Sequence, residues 1–217
     1  MIGATGATGS QLLRQLLNNP NCAQVTSIGR KPAMGGDRNQ KLNDIVLKSL
    51  SSLSSTADHW IDNDVFFNCI GTTRKEAGGA KGFIDIEFGI SNEAAKFASN
   101  ANISHACLIS AKGVDHRMWA PHWIHPLLYM KTMGQKEQTI ISNYNFNYIS
   151  IFKPGMLSRL RRENSAFENF LQSKALKLRV DILSSAMMKC AQSVKDGEPE
   201  KHSLILEGNK EIISYLD

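Results

Sequence analysis

A chain of 217 residues, 42% hydrophobic and 21% charged, is long enough to fold around one core without disulfide or metal staples. It lies outside the low-hydrophobicity, high-charge range of disordered proteins. Its net charge of +5, from 25 Lys+Arg against 20 Asp+Glu, is a mild basic bias that suits an anionic cofactor and reads as an ordinary surface rather than a nucleic-acid interface.

The chain opens on Gly3-Ala-Thr-Gly6-Ala-Thr-Gly9, followed at once by the amphipathic SQLLRQLL. The spacing predicts a tight turn into a helix over 10–17, with Gly3, Gly6 and Gly9 letting the backbone approach a pyrophosphate that meets free N–H groups at the helix start. A strand of about five residues belongs before such a loop, and only Met1 and Ile2 stand there. The first strand is therefore expected to be truncated, stunted or missing from the gene product, at a cost in stability because its two neighbours lose backbone partners.

Further strands are predicted over 23–28 (AQVTSI), weakly over 44–47, and over 64–70 (DVFFNCI), 104–110 (SHACLIS) and 147–152 (NYISIF). Helices are predicted over 83–99, 129–142 and 180–194, and the serine-rich SLSSLSST leads into a short helix. Strand-length apolar runs alternating with helical periods imply a parallel sheet with crossover helices, a Rossmann-like doubly wound α/β fold in a single domain over 1–217, its part 158–217 smaller and facing substrate or partner. After the second strand, where an acid would serve the ribose of NAD, stands Ile28-Gly29-Arg30-Lys31; Arg30 suits the extra phosphate of NADP.

Cys22, Cys69, Cys107 and Cys190 form no CxxC pair and read as reduced thiols of a cytosolic-type compartment. No apolar run nears the about 18 residues of a membrane span, and no signal segment is seen. A cytoplasmic location is expected, with the nuclear envelope as a second one.

In order along residues 3–157 stand the glycine loop, IGRK, FNCIGTTRKEAG, LISAKG, YMKTMG and FKPGML, with EGNKEIISYL near the end. Together they resemble the Tat-interacting-protein oxidoreductase family of atypical short-chain dehydrogenases/reductases. That resemblance implies NADPH or NADP on Thr5, Gly6, Ala7, Thr8, Arg30, Lys31, Ile70, Gly71 and Thr72, with Pro154 and Leu157 near the nicotinamide. It also implies protein partners: translation elongation factor, nuclear transport receptors and transcriptional proteins.

In the related reductases a tyrosine exchanges a proton with the substrate oxygen. The lysine four residues on lowers the tyrosine's pKa of about 10 and holds the nicotinamide ribose. Here Tyr129 is followed at that position by Met133, which offers apolar packing beside the ribose and no charge. Lys131 falls on the opposite side of the helix, and Lys136 lies two turns on, about 10 Å along the axis. Lys112 is the better candidate to stand in, and Ser110, followed by Ala111, is the remaining hydroxyl donor.

The segment GVDHRMWAPHWIHPLL before Tyr129 reads as a lid or recognition surface. His122 and His125 read as aromatic packing rather than metal ligands, and the basic run Arg159, Arg161, Arg162 as a solvated loop. Two functions follow: an NADP(H)-binding protein with weak or lost turnover that acts as a cofactor-dependent regulatory or redox-sensing binding protein, or an active NADPH-dependent reductase of a small carbonyl or quinone using Tyr129.

Overall fold

In a computed structural model describing residues 1–158, 177–197 and 202–217, the strands run parallel. β1 (Val25–Gly29) pairs with β2 (Leu42–Val46). β3 (Val65–Asn68), β4 (His105–Ile109), β5 (Tyr148–Lys153) and β8 (Ser203–Glu207) pair in that order. The two blocks are joined by one residue. Ile2 bridges Ile28 on one side and Asn68 on the other, its N–H donating to the Phe67 carbonyl at 3.0 Å and its carbonyl accepting from Cys69 N at 3.1 Å. The order is β2-β1-Ile2-β3-β4-β5-β8, with Ile2 as the single bridging residue at the place where the first strand is expected. A short parallel pair, β6 (Met156–Ser158) with β7 (Lys177–Arg179), stands apart.

Helices cover both faces because the strands are apolar on both. On one face lie α1 (Ala7–Asn18) and α5 (Val180–Lys195), where Leu12, Leu13, Leu16 and Leu17 meet Leu183, Ala186, Met187 and Cys190. The other face carries α3 (Ser91–Asn100), α4 (His125–Asn143) and a 3-10 stretch, Leu50–Trp60, which together enclose Leu53, Trp60, Phe66, Ala94, Ala95, Ala98 and Ile140. Ser49 caps the 3-10 stretch, and Trp60 closes it by donating to Thr56 Oγ1 at 3.0 Å and packing on Phe66 and Phe97.

The helix expected over 83–99 is a composite. A five-residue α2 (Ala80–Ile84) runs through a π-helical turn, Asp85–Ile90, into α3. Helix α4 begins one turn earlier than expected, with Pro126 in its first turn, where the missing N–H is no loss. The tail forms β8 and α6 (Asn209–Ser214), neither of which was expected. Cys69, Cys107 and Cys190 are buried and all four cysteines are free thiols. The basic run at Arg159, Arg161 and Arg162 lies outside the described residues.

Candidate cofactor-binding and active site

The sheet order turns outward in both directions from Ile2, so the loops after Ile2, β1 and β3 open a crevice at the carboxyl edge of the strands, where parallel sheets of this kind bind ligands. Gly3 has φ +79°, and a Cβ there would stand 2.4 Å from the Cys69 carbonyl oxygen. A Cβ at Gly9 would stand 2.1 Å from the Gly3 carbonyl oxygen. Gly6 N donates to that same oxygen at 3.0 Å. The loop is wound tightly on itself and reaches α1 with Gly6 as N-cap, no side-chain cap and no acid in the first turn. Thr5, Gly6 and Ala7 are exposed, while the Thr8 side chain is buried. The amides of Ala7, Thr8 and Gly9 thus have no hydrogen-bond acceptor among the described residues, an arrangement suited to a pyrophosphate.

Gly9→Ala tests this loop. Alanine favours a helix over glycine by about 1 kcal/mol, yet the clash with backbone forces a shift costing about 1–3 kcal/mol. Urea unfolding should show net destabilisation; an unchanged or raised midpoint would mean the loop is looser than described.

Arg30 and Lys31 leave the end of β1 exposed, with no ion pair among the described residues. The turn that carries them is braced from β2, where Asp44 Oδ2 accepts from Ala33 N at 2.8 Å. One oxygen of that carboxylate is thus engaged, while Asp44 Oδ1 is buried without a hydrogen-bond partner among the described residues.

Past β3, Ile70 is buried and Gly71 and Thr72 follow. Thr72 N donates to Glu87 Oε1 at 2.7 Å. Glu87, in the π-helical turn, also forms an ion pair with Lys136 of α4: Oε2 and Nζ are 3.6 Å apart, with side chains 3% and 0% exposed. Neither atom has a hydrogen-bond partner among the described residues.

Tyr129 lies on the same face of α4, its ring 5.9 Å from Phe83 and 6.4 Å from His125. Burial, and then the Glu87 charge, push its hydroxyl up to about 12. Met133 is buried one turn further. Ser110 is buried at the end of β4, its Oγ without a hydrogen-bond partner among the described residues. Lys112 anchors its own loop by donating from N to the Pro154 carbonyl at 2.9 Å, but its Nζ would stand 3.8 Å from a Cβ at Gly208. Its ammonium thus lies against the β8–α6 junction, and no contact joins it to Tyr129.

The tail explains itself here. Gly155 N donates to Asn209 Oδ1 at 2.9 Å, which pins the turn between Pro154, buried, and Leu157, half-buried. Gly113 N donates to Glu207 Oε1 at 2.9 Å, and Glu207 Oε2 faces Lys153 at 3.6 Å, itself 3.3 Å from Glu137. A chain of charges thus ties α4, β5 and β8 to the loop that carries Ser110.

His125 packs edge-on to Phe83 at 5.3 Å, and among the described residues no three His, Cys, Asp or Glu side chains gather as metal ligands. Trp119 and Trp123 are 72% and 75% exposed. The loop bearing them presses on α4 at Gly134, where a Cβ would meet His116 N at 2.4 Å. A cavity of about 560 Å³ opens between His125 and the turn carrying Thr73, Arg74, Gly78 and Gly79.

Sequence reasoning passed over Glu87 and set Lys136 aside. The signal for Glu87 was present: a carboxylate in the middle of the buried stripe Phe83, Ser91, Ala94, Ala98.

A profile of NAD(P)H-binding proteins matches residues 3–176. The chain belongs to this NAD(P)H-binding family. Protein FMP52, mitochondrial, of Candida albicans is 32% identical over 171 residues, covering 78% of this chain and 71% of that one. Protein HTATIP2 of Rattus norvegicus is 30% identical over 165 residues, 76% of this chain and 64% of its own length, which bears out the resemblance to Tat-interacting-protein oxidoreductases. The oxidoreductase ylbE from Lactococcus lactis superposes with a TM-score of 0.68 at 15% identity, over 99% of this chain and 94% of that one. MoeE5, solved with UDP-glucose and NAD, does so at 0.66 and 16%, over 95% and 74%. At such identities these two show the fold, a Rossmann-like sheet.

Members of the family from Candida albicans, Meyerozyma guilliermondii and Aspergillus fumigatus carry mitochondrial names. They overturn the expected cytoplasmic and nuclear-envelope location.

Proposed function

We propose that this NAD(P)H-binding protein takes NADP(H) in particular, has weak or no turnover, and acts as a cofactor-dependent regulatory or redox-sensing binding protein in mitochondria. The cofactor preference rests on Arg30 and Lys31, exposed at the end of β1 and free of ion pairs among the described residues. The residues fit the cofactor: the uncapped start of α1 would hold the pyrophosphate, Thr5 to Gly9 would cradle it, Ile70, Gly71 and Thr72 would line the cofactor, and Pro154 and Leu157 would lie near the nicotinamide. When bound, NADPH would supply a hydride to an acceptor carbonyl.

The observation that carries the loss of turnover is at Tyr129. Burial and Glu87 hold its hydroxyl at about 12, and buried Met133 provides no opposing cation. Near neutral pH Tyr129 keeps its proton, so it donates a hydrogen bond to a substrate oxygen, beside the unpartnered Ser110 hydroxyl, but gives the proton up only at a steep cost. A protein partner, of the elongation-factor or transport-receptor classes that the resemblance implies, would read the loaded state.

Met133→Lys tests this reading. The reversion should create NADPH oxidation with small carbonyl or quinone substrates, at least about 100-fold above the unmodified protein. Comparable rates in the two proteins would mean that the absence of a lysine is not what limits turnover.

A further inference from the structure

We propose that Lys136, acting through Glu87, is the positioning residue that sets the floor of the nicotinamide pocket, in place of a lysine at position 133; this rests on the cofactor reading above. The helix geometry explains how a residue two turns from Tyr129 comes to serve. Phe83 stands against Tyr129 at 5.9 Å, and four residues on, Glu87 pairs with Lys136, seven residues beyond Tyr129. Long helical side chains lean toward the helix N-terminus, so the Lys136 ammonium is carried back about one turn, to the level that a residue near position 133 occupies. The π-helical turn Asp85–Ile90 sets Glu87 inward to meet it, as such turns often do at functional sites.

The pair's reach is toward the crevice. Glu87 spends one oxygen on the Thr72 amide at 2.7 Å, and that oxygen would be 3.8 Å from a Cβ on Gly71. The loop after β3 is therefore held at a fixed height by a carboxylate that is itself held by Lys136. Lys136 Nζ and Glu87 Oε2 face each other at 3.6 Å as an ion pair, and neither has a hydrogen-bond partner among the described residues, which leaves the lysine's donors available beside the crevice. Because Glu87 neutralises Lys136, the lysine here positions without activating Tyr129.

The test separates the two halves of the ligand. Calorimetry would compare NADPH with adenosine 2′,5′-bisphosphate, which carries the adenine half and the extra phosphate but no nicotinamide, on the unmodified protein, Lys136→Met, Lys136→Arg and the double variant Glu87→Gln/Lys136→Met. The double variant strands no buried charge and keeps the experiment readable if the single variant fails to fold. NADPH affinity should fall by about tenfold or more in the Lys136→Met and double variants, with the bisphosphate within about twofold, and Lys136→Arg should retain most of the NADPH affinity. Equal losses of both ligands, or none, would overturn the proposal and leave the cofactor reading standing. Failure of the unmodified folded protein to bind either ligand would overturn the cofactor reading and with it the proposal.

Discussion

Lys136→Met should lower stability by about 3–5 kcal/mol, because it leaves Glu87 charged and buried with only the Thr72 amide for company. Glu87→Gln should do comparable harm in reverse, stranding a lysine whose side chain is 0% exposed. The double variant should recover most of the loss. The pair's mutual attraction mainly repays the removal of both charges from water, so replacing both by neutral groups of similar size is close to even. Urea unfolding of the three variants forms a double-mutant cycle with an expected coupling of about 2 kcal/mol or more. Additive single-variant losses would mean that the two side chains do not act as a pair. A double variant as stable as the original but poorer in NADPH binding is the combination that the positioning role predicts.

The second large effect is on pH. His105 is buried in β4, its Nε2 2.8 Å from Ser150 Oγ and its ring edge-on to Tyr148, and burial lowers it to about 4. His105 binds protons more readily in the unfolded chain, at about 6.5, so falling pH favours unfolding through this group between about 6.5 and 4. At about 1.4 kcal/mol per unit, stability should drop by about 2 kcal/mol from pH 6.5 to pH 5 through His105, a sizeable part of the 5–15 typical of a domain. His105→Gln should flatten this part of the profile. A flat profile in the unmodified protein would contradict the burial described for His105.

Much of the site was legible in the sequence because it is built from backbone and from one helical face. The glycines at 3, 6 and 9 announce a loop that leaves no room for side chains, and Tyr129 and Met133 share a face by spacing alone. Spacing along the helix sets Lys136 two turns from Tyr129, and Cα positions alone do not show the backward lean of a long side chain or its pairing with Glu87. Glu87 was overlooked because a charged residue in an apolar helix is normally assigned to its solvent face, and only the π-helical turn shows how it is set inward. The tail strand Ser203–Glu207 is half-exposed at the sheet edge, so its apolar signal is weak. Its role, holding the loops of Ser110 and Pro154 through Glu207 and Asn209, depends on contacts more than 50 residues apart.

The loop at Gly3 to Gly9, the start of α1 and the cations Arg30 and Lys31 are proposed to form an NADP(H) site in a chain that carries Met133 four residues after Tyr129. Calorimetric titration of the purified protein with NADPH and NADP+, with NADH as control, tests it most directly. Saturable binding of NADPH and NADP+ with clear preference over NADH is expected; folded protein that takes up none of them would contradict the proposed site.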